Sequence, residues 1–200
     1  MTVEEAAGGQ RHVADDLGVE PQPEGVSRFT QVKRPWKPND DSRRYRRGLY
    51  TYFWRSAPHP ALVTFDAPDA GTTCTRRNRS NTPLQALTLL NDAGFAEYAY
   101  GLAARLLRDG RTTEEDQVRH GFRLCLGREQ SAAEAKRLAA FLTKQRRHYA
   151  ANPAEAATLL GGGGPAGKKL AEVPGDAGPK AALVLLSRVL LNLDEFIMRE

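Results

Sequence analysis

The stretch KAALVLLSRVLLNLDEFI, residues 180–197, decides the fold. Large aliphatic residues recur in it every three or four positions, the spacing that places side chains on one face of an α-helix. That face is formed by Leu183, Leu186, Leu190, Leu193 and Ile197. Further leucines and valines between these positions make the segment apolar nearly all round. The pattern predicts a helix from about Lys180 that lies buried at the centre of the domain.

Start and stop signals upstream predict further helices around it. Thr82, Pro83 and Gln85 have the spacing of a capping box with proline at the first helical position. The apolar runs after this cap, up to Asp109-Gly110, form either two helices or one kinked helix. Other predicted starts are Thr113 with Asp116, Ser131 with Glu134 and Asn152 with Pro153, and Gly127 is a predicted stop. We expect a mainly α fold, an irregular bundle of about five to six helices.

The remaining segments predict irregular structure. Residues 1–41 are polar and rich in proline, which is typical of a disordered or extended arm. Aromatic and β-branched residues between Tyr45 and Phe65 favour a short strand or an extended segment. The glycine- and proline-rich residues 161–178 predict a flexible linker. We therefore expect an arm over residues 1–41 and a helical domain over residues 42–200 that contains this linker.

Composition narrows the classes of function. A chain of 200 residues with 40% hydrophobic and 26% charged residues is typical of a globular protein. The net charge of +5 favours an anionic partner, but so small an excess argues against nucleic acid. Cys74 and Cys125 form no Cys-x-x-Cys pair, so we expect free thiols and no metal. The longest apolar run, residues 181–191, is too short to span a membrane, and the first ten residues carry no secretory signal.

Two arginine clusters flank the aromatic segment and the first helix cap. They are Arg43-Arg44-Tyr45-Arg46-Arg47 and Arg76-Arg77-Asn78-Arg79. Guanidinium forks beside tyrosine suit a phosphate, an acidic glycan or stacked bases, whereas solvated loop charge with internal pairing is the alternative. The candidate binding residues are Arg46, Arg47, Tyr50, Asp66, Arg76, Arg77, Arg79, Asn81 and Gln85.

Two carboxylates near the carboxyl end of the helix predicted from Lys180 require a neighbouring positive charge. Asp194 and Glu195 lie where the helix dipole disfavours acidic side chains. We expect an arginine of the cluster Arg76–Arg79 to pair with one of them and to tie that loop to the helix. Adjacent helical residues point about 100° apart, which argues against a general acid and base pair.

Other polar residues show no catalytic or metal-binding pattern. Asp66 and Asp69 belong to the turn signature DAPDAG, residues 66–71, and lack the further oxygen ligands of a calcium loop. The four histidines are scattered singly, and neither a nucleophile elbow nor a phosphate-binding loop is present. The residues predict no catalytic group and no cofactor.

Several motifs occur here in the order found in a known family. They are YRRGLYTY (residues 45–52), TFDAPD (64–69), CTRR (74–77), NTPLQAL (81–87), ND (91–92), LGR (126–128) and LLNLDEF (190–196). From Arg43 to Glu200 the chain resembles the carboxy-terminal part of the planctomycete, cytochrome-c-associated domain of unknown function 1553 (PSD-type). The arm before Arg43 shows no such likeness, and residues 161–178 replace the family's usual segment.

The resemblance implies a cellular location and neighbouring domains for the protein, and it implies no specific reaction. Members of the family are typically exported, and the domain follows a second uncharacterised domain and often a cytochrome-c-like domain. It implies that this chain is a truncated or split product whose partner is the upstream family domain or a cytochrome-c-like protein. We expect a noncatalytic binding or scaffolding module with an arginine-rich face. The alternatives are a fragment of an enzyme acting on an anionic substrate and, less favoured, a nucleic-acid-binding protein.

Overall fold

The computed structural model describes residues 60–68, 71–76, 80–111 and 113–198. Of these residues 74% are helical, in nine helices, and none is in a strand, which confirms the mainly α fold class but exceeds the expected number of helices. The chain divides into two compact units. The first unit comprises Met1–Thr88 with Asp92–Gly94, and the second, here called the helical bundle, comprises Leu89–Asn91 with Phe95–Glu200.

Helix α1, Pro60–Thr64, lies in the first unit and corrects the expected strand over its residues. Proline is tolerated at the first helical position because its missing N–H would have no intrahelical partner there. The helical bonding continues as Phe65 N donates to Ala61 O over 3.0 Å. Val63 is 57% exposed, so its β-branched side chain lacks the neighbours that favour a strand. The rest of the expected strand, residues 45–59, and the arm boundary at residue 41 lie outside the described residues.

Helices α2, Pro83–Asn91, and α3, Ala93–Arg108, are separate. The capping box at α2 is formed as predicted, with the Thr82 side chain accepting from Gln85 N and the Gln85 side chain accepting from Thr82 N. Asp92 has an extended backbone, and its Oδ1 accepts from Gly94 N over 2.8 Å. This aspartate therefore ends α2 and supports the first turn of α3, which decides between two helices and one kinked helix.

The bundle continues with six helices in chain order. They are α4 Glu114–Leu126, α5 Ala132–Ala151, α6 Pro153–Leu160, α7 Gly164–Glu172, α8 Ala177–Leu191 and α9 Asp194–Ile197. The predicted cap at Thr113, the capping box at Ser131 and the left-handed stop at Gly127 are all present. Helix α8 packs against α4, α5 and α6, and eight of its residues are buried. The prediction of a central buried helix is confirmed.

The stretch expected to be a flexible linker, residues 161–178, instead contains α7. Gly162 and Gly163 of this stretch lie against Tyr100 of α3, and Gly164 lies near Glu97. Glu97, only 4% exposed, accepts with Oε1 from Ala166 N over 3.3 Å in the first turn of α7. At the other end of α7, the buried Lys180 donates to Ala171 O over 3.3 Å. A carboxylate at the amino end and an ammonium at the carboxyl end both complement the helix dipole, so tertiary contacts order a segment whose composition favours a loop.

The closing apolar segment is interrupted where the periodicity predicts a continuous helix. Asn192 caps α8, Leu193 is extended, and α9 begins at Asp194. Asp194 and Glu195 consequently lie in the first turn of a new helix, where a negative charge is favoured, and not at the carboxyl end of the previous one. Within the part of the chain that is described, none of the helices combines the length and the apolar character needed to cross a membrane.

Candidate functional site

Asp66 and Gln85, both predicted as candidate binding residues, meet in the first unit. One carboxylate oxygen of Asp66, Oδ2, accepts from Ser80 N over 2.8 Å and from Ser80 Oγ over 2.7 Å. The amide of Gln85 donates to Ser80 Oγ over 3.0 Å and to Thr64 O over 2.8 Å. Asp66 has φ 55°, a left-handed conformation that aspartate tolerates better than most residues. This polar cluster joins the end of α1 to the start of α2.

The geometry gives the polar cluster a structural role. Gln85 is 2% exposed, so its amide would leave unsatisfied groups if these bonds were missing. Oδ2 of Asp66 is already occupied by two hydrogen bonds from Ser80, as expected of a turn residue closing a loop. The cluster therefore ties Ser80 and Gln85 to Asp66 and Thr64 at the end of α1.

The other predicted binding residues do not join this cluster among the residues described. Arg76 and Asn81 are exposed, and the Cys74 thiol donates to Arg76 O over 3.3 Å. The remaining candidates lie outside the described residues, and so does the turn residue Asp69. They are Arg46, Arg47, Tyr50, Arg77 and Arg79.

Helix α2 presents leucines outward and a glutamine inward. Leu84, Leu87 and Leu90 are 60%, 56% and 41% exposed, whereas Gln85 and Leu89 are 2% and 8% exposed. At 100° per residue Leu84 and Leu87 lie about 60° apart on the helix, and we call these two residues of the first unit the exposed leucine face. The sequence indicates only that Leu84 and Leu87 share a face of a helix. It does not show that this face is solvent-exposed, because the burial of Gln85 depends on contacts with Thr64 and Ser80.

Glu195 pairs with Arg128, a partner that was not expected from the sequence. Arg128 Nη2 lies 2.6 Å from Glu195 Oε2 and 2.8 Å from Glu134 Oε1, so one guanidinium joins α9 to the start of α5. The same guanidinium lies 4.8 Å from the centroid of the Phe122 ring. Arg128 follows the Gly127 stop directly in the sequence, but no local pattern indicated its role as a partner of Glu195. The expected pairing of Arg77 or Arg79 with Asp194 or Glu195 falls outside the described residues.

These ion pairs change the ionisation of the carboxylates. Hydrogen bonds from Arg128, together with those from Ser131, lower the pKa of Glu134 to about 2. The hydrogen bond from Arg128 also lowers the pKa of Glu195, and the two carboxylates raise the pKa of Arg128. All three groups therefore remain ionised at neutral pH, which suits a structural clasp and not a proton-transfer pair.

A second ionic cluster joins α4 to α5. Arg146 donates to Glu114 Oε1 over 3.0 Å and to Gln117 Oε1 over 2.7 Å. Thr143 Oγ1 donates to Glu114 Oε2 over 2.6 Å. Because Arg146 and Glu114 are both partly shielded from solvent, this cluster orients α5 about its own axis against α4.

The histidines of the bundle are paired with acids. His120 Nε2 lies 2.6 Å from Asp109 Oδ2, and this hydrogen bond is the main cause of a lowered pKa of Asp109. His148 Nε2 lies 2.9 Å from Glu155 Oε2. The structure describes no group of three or more His, Cys, Asp or Glu side chains that could hold a metal ion within those same ranges. Cys74 is an exposed free thiol and Cys125 a buried one.

Comparison with known proteins identifies a family and no activity. The family model PSD1, described as Protein of unknown function (DUF1553), matches residues 5–142. The match includes most of the arm, so the expectation that the arm lies outside the family was wrong, while the motif at residues 190–196 lies beyond the match. No curated protein and no solved structure matches the chain. Because the family model covers more than half of its residues, the chain belongs to the PSD1 family of proteins of unknown function, DUF1553.

Proposed function

We propose that this chain is a noncatalytic helical module that binds a partner domain through the exposed leucine face of α2. The observation that carries the proposal is the exposure of Leu84 and Leu87, three residues apart on one helix of the first unit. Contiguous apolar side chains on a soluble surface are typical of a protein interaction site. A helix that presents such a pair suits the groove of a helical partner.

The ionic groups of the bundle support a scaffold more than a reaction centre. Arg128 and Arg146 each join two helices through carboxylates, and Asp66 accepts a hydrogen bond from Ser80 in the first unit. A general acid or base must exchange a proton near neutral pH, whereas the lowered pKa of Glu134 and of Glu195 keeps both carboxylates ionised. We therefore assign these groups to structure.

The partner that we propose is the upstream domain of the same family, within a cytochrome-c-associated, extracytoplasmic system. The arginine-rich face belongs to this proposal as its electrostatic part. Arg76 is exposed, and Arg46, Arg47, Arg77 and Arg79 occur in the two clusters that precede α2 in the sequence. Guanidinium groups beside an apolar contact would select an acidic rim on the partner and accelerate its association.

The test uses the full chain and a separately produced upstream family domain, with binding measured by isothermal titration calorimetry. The variant Leu84→Asp with Leu87→Asp places two charges on the exposed leucine face. The control, Ala154→Asp with Ala157→Asp, adds the same charge at two exposed positions of α6. We expect the leucine variant to bind at least about tenfold more weakly, because buried apolar anchors dominate interface energies, and the control to bind like the unsubstituted chain.

Two results would overturn the proposal. One is an upstream domain that does not bind the unsubstituted chain, and the other is equal weakening by the leucine variant and its control. A purified cytochrome-c-like domain, followed by its haem absorbance, serves as a second titrant. If this domain binds through Leu84 and Leu87 and the upstream domain does not, the proposed partner is wrong.

A further inference from the structure

The outward face of α5 carries four cations. Lys136, Arg137, Lys144 and Arg147 are all exposed. With 100° of rotation and 1.5 Å of rise per residue, they lie within an arc of about 100° and extend over about 16 Å of the helix. We call these four residues the basic face of α5. Ala140 is also exposed and lies near the middle of the face. Its small side chain does not cover the neighbouring cations.

Among the described helices, α5 carries the largest number of cations without an ion pair. None of the four residues of the basic face forms an ion pair with any residue that the structure describes. The arginines that do form ion pairs in this unit are Arg105, Arg119, Arg123, Arg128 and Arg146. Arg108, Arg111, Lys168, Lys169, Lys180 and Arg188 also lack an ion pair with a described residue, but no described helix other than α5 carries more than two such cations.

The opposite side of α5 holds the basic face in a defined orientation. Leu138, Leu142 and Tyr149 are buried in the core, at 9%, 0% and 8% exposure. Arg146 and Thr143 both bind Glu114 of α4. Because α5 cannot rotate without breaking these contacts, the four cations are presented to solvent as a fixed row.

We propose that the basic face of α5 binds an acidic polypeptide segment. Carboxylates along an extended or helical segment match a single row of cations, and guanidinium groups bind carboxylates through paired hydrogen bonds. A nucleic acid fits the surface less well, because the face contains no Phe, Tyr or Trp on which a base could stack. The neighbouring α4 also begins with Glu114, Glu115 and Asp116, which would repel a duplex extending beyond one helix.

The binding experiment uses the full chain and a fluorescein-labelled poly-L-glutamate, with fluorescence anisotropy as the readout at low salt. The variant Lys144→Gln with Arg147→Gln removes two charges from the basic face. The control, Lys168→Gln with Lys169→Gln, removes two charges from exposed positions of α7. Only the first variant would lose two exposed ion pairs with poly-L-glutamate. We therefore expect its binding to weaken about fivefold and the binding of the control to change by less than about twofold. Circular dichroism melting confirms that both variants fold.

Further binding measurements identify the class of ligand and distinguish this inference from the proposed function. Equal weakening by both variants would show that only net charge matters and would overturn the proposal. Tighter, Lys144- and Arg147-dependent binding of duplex DNA or of phosphatidylserine vesicles would also overturn it, in favour of those ligands. The Leu84→Asp, Leu87→Asp variant should bind poly-L-glutamate as the unsubstituted chain does. The proposed function and the proposal for the basic face of α5 can therefore be rejected independently of each other.

Discussion

The ring of Tyr100 occupies the space that a side chain at Gly163 would need. A β-carbon added to Gly163 would lie 2.5 Å from Tyr100 Cγ, well inside van der Waals contact. The Tyr100 hydroxyl donates to Leu159 O over 2.5 Å. The ring is therefore fixed by its own helix, α3, and by this hydrogen bond to the end of α6. Gly163 also has φ +77°, a conformation that favours glycine. These contacts explain why a run of four glycines is ordered here.

Gly163→Ala should destabilise the protein more than a glycine substitution without the ring. The backbone conformation alone costs about 1–2 kcal/mol for alanine, and the overlap with Tyr100 adds about 1–3 kcal/mol. Gly110→Ala is the matched control, because Gly110 has φ +69° and nothing within 4 Å of an added β-carbon. Urea unfolding measures both free energies. Equal losses of stability would show that the Tyr100 contact has no energetic role.

Glu134→Gln should flatten the dependence of stability on pH in acid. The pKa of Glu134 is lowered from 4.5 to about 2 in the folded protein. Ionised Glu134 therefore stabilises the fold above about pH 4.5, and this contribution is lost as the pH falls towards 2. We expect the melting temperature of the unsubstituted chain to fall more steeply than that of the variant across this window.

The control for this prediction is Glu172→Gln, an exposed carboxylate in the last turn of α7. Its melting curve should follow that of the unsubstituted chain at each pH. Arg128→Gln should flatten the acid dependence as Glu134→Gln does, because Arg128 is the main cause of the lowered pKa. Parallel acid profiles for all these proteins would contradict the proposed clasp.

Gln85→Ala should weaken the joint between α1 and α2. The substitution removes the capping-box acceptor and leaves Thr64 O and Ser80 Oγ without their donor, at a cost of about 2 kcal/mol. Gln85→Glu keeps an acceptor for Thr82 N but places a second carboxylate near Asp66. We expect faster exchange of the Ser80 amide hydrogen in both variants, with partial recovery for Gln85→Glu at acidic pH. Exchange that is unchanged in both would rule out the polar cluster as a clamp.

The two cysteines should differ sharply in reactivity. Burial raises the pKa of the Cys125 thiol to about 12, whereas Cys74 is exposed. Because the thiolate is the reactive form, a disulfide reagent at mildly alkaline pH should titrate one thiol in the folded protein and two in guanidinium chloride. Cys74→Ser should abolish the reaction of the folded protein. Rapid reaction of both thiols without denaturant would contradict the burial of Cys125.

Local sequence signals predicted several helix boundaries, and they failed where long-range contacts compete with them. The caps at Thr82, Thr113 and Ser131 were identifiable because each depends on residues within one helical turn. The helix α7 was not, because a glycine-rich segment favours a loop until Glu97 and Tyr100 pack against it. The partner of Glu195 was missed for the same reason, since Arg128 is 67 residues away in sequence.

The sequence by itself determined the helical class, the capped starts of α2, α4 and α5, and the buried centre of α8, because periodicity and capping are properties of neighbouring residues. Only the tertiary structure decided which face of each helix meets solvent. It turned Gln85 inward and Leu84 outward on α2, and it left Lys144 and Arg147 of α5 without carboxylate partners among the described residues. Whether a side chain is buried or paired depends on groups distant in the chain, and these groups meet only when the helices pack.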